Sequence, residues 1–126
     1  MRGLRQVRAI CFGAFAMCLS IVAPAQAERL VSNPDMCAFS DPMDAQEVGM
    51  TLTSSDMFEI EYLCEFSEPI ALHWDEERIE TRVGFCSEPG YISPEVWAFQ
   101  FSPFEPGKVT VWWQGGDEPT IFQSCK

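Results

Sequence analysis

The sequence predicts an all-β domain: a small antiparallel β-sandwich or barrel of six to seven short strands with two disulfides. Three observations carry this. Apolar and polar residues alternate with period two in several short runs. Turn signals separate those runs every 8–12 residues or so, the spacing of a sandwich or small barrel. Four cysteines, Cys37, Cys64, Cys86 and Cys125, lie in the same stretch. An even number in a short exported chain reads as two bridges. No segment offers a helical apolar stripe of useful length.

The first 27 residues have a different character. Arg2, Arg5 and Arg8 form a positive start with no acid before Glu28. An apolar run follows over residues 9–23, Pro24 breaks it, and Ala25-Gln26-Ala27 supplies a small-x-small cleavage site. That order is the order of a secretory signal peptide. The run of about 15 apolar residues is short of the ~20 that a spanning helix needs. Residues 1–27 are therefore expected to be removed together with Cys11 and Cys18. This leaves no transmembrane segment and one domain, residues 28–126, in the periplasm or outside the cell.

Along that domain, residues 28–45 are turn-rich and read as an irregular arm held down by Cys37. Residues 45–50 allow a single helical turn, and residues 50–53 a short strand. Residues 57–65 alternate strongly, with Phe58, Ile60, Tyr62 and Cys64 on one face and acids on much of the other. Ser67-Glu68-Pro69 turns the chain, Ile70, Leu72 and Trp74 alternate, and Asp75-Glu76-Glu77 turns it again. Residues 78–86 repeat the pattern, with Ile79, Thr81, Val83 and Phe85 on one face. After Glu88-Pro89-Gly90, residues 96–101 place Trp97, Phe99 and Phe101 on one side. Pro106-Gly107 leads to residues 108–114, which are expected to pair with residues 120–125 across Gly115-Gly116-Asp117-Glu118-Pro119. Four cysteines allow three pairings. The preferred one is Cys64–Cys86 with Cys37–Cys125, since the first pair ends two strands of the meander and the second ties the arm to the last strand.

All nineteen acids fall in residues 28–126, against Arg29, Arg78, Arg82, Lys108 and Lys126. Five cations and nineteen carboxylates leave a formal charge of −14. Nucleic acid is excluded as a partner, because phosphate binding needs cations. A cationic protein is favoured, beside simple solubility. The aromatic content argues that the chain buries a core and is not disordered by its charge.

Several residues invite chemistry. His73, the only histidine, would have to serve any Ser-His or Cys-His site, but its strand position reads as solvent-facing. Glu59, Glu61 and Glu65, with Glu80 nearby, offer paired carboxylates of the kind that cleave glycosides. The same pattern is what a solvated strand face looks like. Asp75-Glu76-Glu77 and residues 41–47 carry enough acid for Ca²⁺ but lack the calcium-loop spacing. Met36, Met43, Met50 and Met57 recur every seven residues, yet Pro42 forbids one continuous helix. The cysteine spacing fits neither zinc nor a redox pair. No catalytic residue, metal site or cofactor is therefore expected. Trp112-Trp113 before Gly115-Gly116 is the most suggestive feature. Adjacent strand side chains face opposite ways. Trp113 should join Val109 and Val111 inside, leaving Trp112 outside. Trp112, Gly115, Gly116, Asp117 and Glu118 form the expected binding site, with Trp112 as aromatic anchor.

Two resemblances follow from quoted residues. Asn33-Pro34-Asp35-Met36-Cys37, Glu61-x-x-Cys64, Cys86 and Cys125 resemble short exported four-cysteine bacterial proteins of unassigned function. Glu61-Tyr62-Leu63-Cys64 with Glu68-Pro69-Ile70, and the hairpin sequence of residues 109–122, resemble the C-type lysozyme inhibitors of bacterial envelopes. That likeness implies a small β-barrel, loops inserted into a lysozyme active site and a cationic partner. It also implies the rival pairing Cys64–Cys125 with Cys37–Cys86. The chain departs from that family in lacking its Ser-Gly loop between Cys86 and Lys108 and in carrying Gly115 where the hairpin lysine stands. The expected function is a non-catalytic binding domain, with lysozyme inhibition as its sharpest form. A carboxylate-dependent glycoside hydrolase and a structural envelope protein are the alternatives.

Overall fold

A computed structural model describes residues 28–126, so the expected signal peptide lies outside the described residues. Each strand pairs antiparallel with the next: β1 (Leu30–Val31), β2 (Thr51–Leu52), β3 (Asp56–Glu59), β4 (Tyr62–Phe66), β5 (Arg78–Glu88), β6 (Tyr91–Phe101), β7 (Lys108–Trp113) and β8 (Thr120–Ser124). Leu30 opposite Ser124 and Val31 opposite Gln123 join β1 to β8 and close an eight-stranded barrel. Closure gives each strand two partners, and a free edge remains where β6 runs past β7. The two-residue β1 carries no periodicity to mark it; with β1 added, residues 57–65 divided into two strands and residues 70–74 forming none, the strands number eight.

The disulfides are Cys64–Cys86 and Cys37–Cys125. Cys64 lies directly opposite Cys86 across β4 and β5. Cys37 sits in a 3-10 helix (Pro34–Ala38), capped by Asn33, whose side chain accepts from the Asp35 N–H. Its bridge ties the arm to the end of β8. Met36 and Ala45 of the arm pack with Val31 in a small second core. The main core fills the barrel with Leu30, Leu52, Met57, Trp97, Phe99, Phe101, Val109, Val111 and Phe122. Phe66 meets Trp97 and Phe99 edge-on, with centroids 5.3 and 5.1 Å apart.

Three local expectations are corrected. Residues 57–65 are not one strand but a hairpin, β3 to β4, turning at Ile60-Glu61. Glu61 has φ 55°, a left-handed conformation rare outside glycine and asparagine, so no sequence signal marked the turn. On β5 the face that is apolar by composition points outward: Ile79, Val83 and Phe85 are exposed. The inward parity holds Arg78, Glu80, Arg82, Gly84 and Cys86. Residues 70–74 form no strand. They belong to a strap, residues 67–77, that lies against β5.

The strap explains the charged interior. Arg78 and Arg82 bracket Glu80, each at 3.1 Å, and all three side chains are largely covered. The guanidiniums also satisfy strap carbonyls that no strand partner reaches. Arg82 Nε donates to Glu68 O and Pro69 O, at 3.1 and 3.2 Å. Arg78 donates to Ala71 O, and to His73 O at 2.6 Å. Arg78 also stacks 3.8 Å over the Phe101 ring. Ile70 is buried, and Leu72 and Trp74 pack on the core, with the Trp74 indole donating to Lys108 O.

Candidate interaction site

The meander fixes what lies at each end of the barrel. Turns 60–61, 89–90 and 114–119 share one end with arm residues 43–50, held there by the Ile60 N–H donating to Gln46 O. The strap, residues 102–107 and the end of β8 share the other.

A groove of about 440 Å³ opens at the first end. Met43, Phe58, Tyr62, Leu63 and Pro89 form its apolar walls, and Glu59, Glu61 and Glu88 border it. Burial pushes the Tyr62 phenol above its ordinary value, and Glu95, Glu88 and Glu59 push the same way. The phenol therefore stays protonated through neutral pH and keeps its O–H as a donor. A concave apolar floor with acids at its rim fits a long basic side chain, whose methylenes cover apolar surface while the charge meets carboxylate.

The Gly115–Glu118 turn leaves the meander on the same side but level with Val96, outside the groove's lining. Gly115 has φ 80°, and the Gly116 N–H donates to Trp113 O at 3.1 Å, which closes the turn. Asp117 and Glu118 are exposed. Trp113 packs edge-on against Trp97, centroids 5.9 Å apart, while Trp112 is on the outer face. The expected binding set is thus divided. Gly115, Gly116, Asp117 and Glu118 form an exposed acidic turn, whereas Trp112 belongs to the side wall, opposite Ala98 of β6.

Every cation of residues 28–126 is engaged away from the groove. Arg29 donates to Phe39 O. Arg78 and Arg82 hold Glu80 and the strap. Lys108 pairs with Glu105 and Lys126 with Glu28. Glu59, Glu61, Glu88, Asp117 and Glu118 therefore stand without a counter-charge among the described residues.

The other expected sites disperse. Glu80 is neutralised inside by two arginines, Glu65 faces outward on β4, and only Glu59 and Glu61 share the groove. His73 lies in the strap, not in a strand, and bonds Asp75, whose carboxyl that contact holds below its ordinary value. Met36 and Met57 sit in different cores and Met43 in the groove. Among the described residues no group of three or more His, Cys, Asp or Glu is placed to hold a metal ion. Nor is any helix there long and apolar enough to cross a membrane. Comparison with protein-family models, with characterised proteins and with solved structures returns no match.

Proposed function

We propose that residues 28–126 are an exported, non-catalytic binding domain of the periplasm or cell exterior whose partner is a basic protein. What carries the reading is the polarity of the barrel. Glu59, Glu61 and Glu88 stand unpaired at an apolar groove, and Asp117 and Glu118 stand unpaired on the glycine turn, while all five cations are engaged elsewhere. A field of one sign at one end steers a basic partner and fixes its approach. Two disulfides suit the oxidising compartment this role needs. Lysozyme inhibition is the sharpest form of the proposal, since lysozyme is a basic protein with a cleft that a turn can enter.

The test is the rate of cell-wall lysis by lysozyme with and without the oxidised domain. The domain should slow lysis at low salt and slow it less at physiological salt, because screening weakens exposed charge pairs. Full lysis at stoichiometric excess of domain in low salt removes lysozyme as the target.

A further inference from the structure

The outer wall of the barrel carries a second feature, independent of the acidic end. Side chains alternate across a strand, so β5 sends outward residues 79, 81, 83, 85 and 87, and β6 residues 92, 94, 96, 98 and 100. None of these five and five positions is charged, in a domain with nineteen carboxylates. Val83 opposes Val96, Phe85 opposes Pro94, and Trp112 of β7 continues the surface beside Ala98. Ile79, Val83, Phe85 and Ile92 are 66, 54, 61 and 69 % exposed, and Trp112 is 43 % exposed. With aromatic side chains of about 150–250 Å² each, the patch is on the order of 600 Å², the upper end of what a monomer shows.

We infer that this face is the contact between two copies of the chain, packed wall to wall about a two-fold axis. Charge selects the occupant. A basic partner finds little to engage there, since the outward residues of β5 and β6 carry no carboxylate and Glu65, opposite Phe85 on β4, stands only at the margin. A second copy meets the wall with an identical uncharged surface and keeps both acidic ends in water. A self-complementary patch is what a two-fold contact requires. With the flanking Thr81, Val96 and Ala98, its area approaches the ~800 Å² per partner of a standard interface. The contact is face to face. Val96 O accepts from Gln114 N–H, so Pro94, two residues back, turns the same edge of β6 outward without a donor, which discourages strand addition there.

Two bodies of charge −14 repel, so salt should strengthen this association, the opposite of its effect on a basic partner. Sedimentation velocity of oxidised residues 28–126, from micromolar to near-millimolar concentration, should show a monomer–dimer equilibrium that tightens as salt rises. Phe85→Glu, and separately Val83→Lys, should weaken it at least about tenfold, the change expected when an interface anchor becomes a charge. Both side chains are already exposed, so the Val83→Lys melt should stay unchanged, while Phe85→Glu, which stands opposite Glu65, should melt slightly lower and remain folded. A wild-type domain that remains monomeric at the highest concentration in high salt overturns the inference. So does a Phe85→Glu variant that dimerises as tightly as wild type. Neither result bears on the lysis assay, which reads the acidic end.

Discussion

At Gly84 the backbones of β4 and β5 come closer than any side chain allows. A Cβ there would stand 2.0 Å from Glu65 O and 3.0 Å from a Trp97 ring carbon. The first contact is backbone, which cannot swing aside. Gly84 also sits on the inward parity, two residues from Cys86 and opposite Phe66, so any displacement reaches the centre of the core. We expect Gly84→Ala to destabilise the domain by about 2–3 kcal/mol, the upper part of the usual range of about 1–3 kcal/mol for overpacking. Urea unfolding measures this; a change below about 0.5 kcal/mol, the scatter of ordinary surface substitutions, would contradict the close approach. Two residues away, Arg82 shows how a charge is tolerated inside: Nε and Nη2 meet Glu80 and strap carbonyls, and Nη1 donates to Thr81 O of its own strand at 2.9 Å. Burial without those partners would be costly.

At the scale of elements, the two bridges do different things. Cys37–Cys125 spans 88 residues and fastens the arm, whose other anchors are a two-residue strand, a small second core and scattered hydrogen bonds such as Ile60 N–H to Gln46 O. Cys64–Cys86 spans 22 residues and joins strands that already pair. Loop-closure entropy gives about 4.5 and about 3 kcal/mol for them. Replacing Cys37 and Cys125 together by Ser should therefore lower the melting temperature more than replacing Cys64 and Cys86; the reverse order would refute the entropic ranking. The sequence made this pairing readable because strand ends and arm could be located from turns. It also made the β7–β8 hairpin readable, with Trp113 inside and Trp112 out, since Val109 and Val111 set the parity. It hid the orientation of β5. Alternation shows that a strand has two faces but not which one is inside. Composition favours Ile79, Val83 and Phe85, and only the parity of Cys86 with Arg78, Glu80 and Arg82 points the other way. The groove was hidden for a related reason. It depends on the Ile60-Glu61 turn, which has no glycine, proline or asparagine to announce it and which brings Glu59, Glu61 and Tyr62 to face Glu88.

For the whole molecule, what matters is that charge and apolar surface occupy separate regions. The strap end holds the ion pairs Arg78–Glu80, Arg82–Glu80 and Lys108–Glu105. The turn end holds carboxylates alone, and the β5–β6 wall holds neither sign. Net charge alone would steer a basic protein to the domain without choosing a side. Segregated charge chooses one, because a screened field reaches only about 8 Å at physiological salt. Reversing charge at two ends of the same molecule separates these possibilities. Glu88 lines the groove, whereas Glu76 is exposed at the far turn of the strap. Glu88→Lys and Glu76→Lys change the net charge by the same amount. If the acidic end docks the partner, Glu88→Lys should slow association with a basic protein such as lysozyme several-fold at low salt. Glu76→Lys should slow it far less. Stopped-flow association rates measure both. Equal slowing by the two substitutions would mean that total charge attracts the partner and that the turn end is no more a docking site than any other acidic surface.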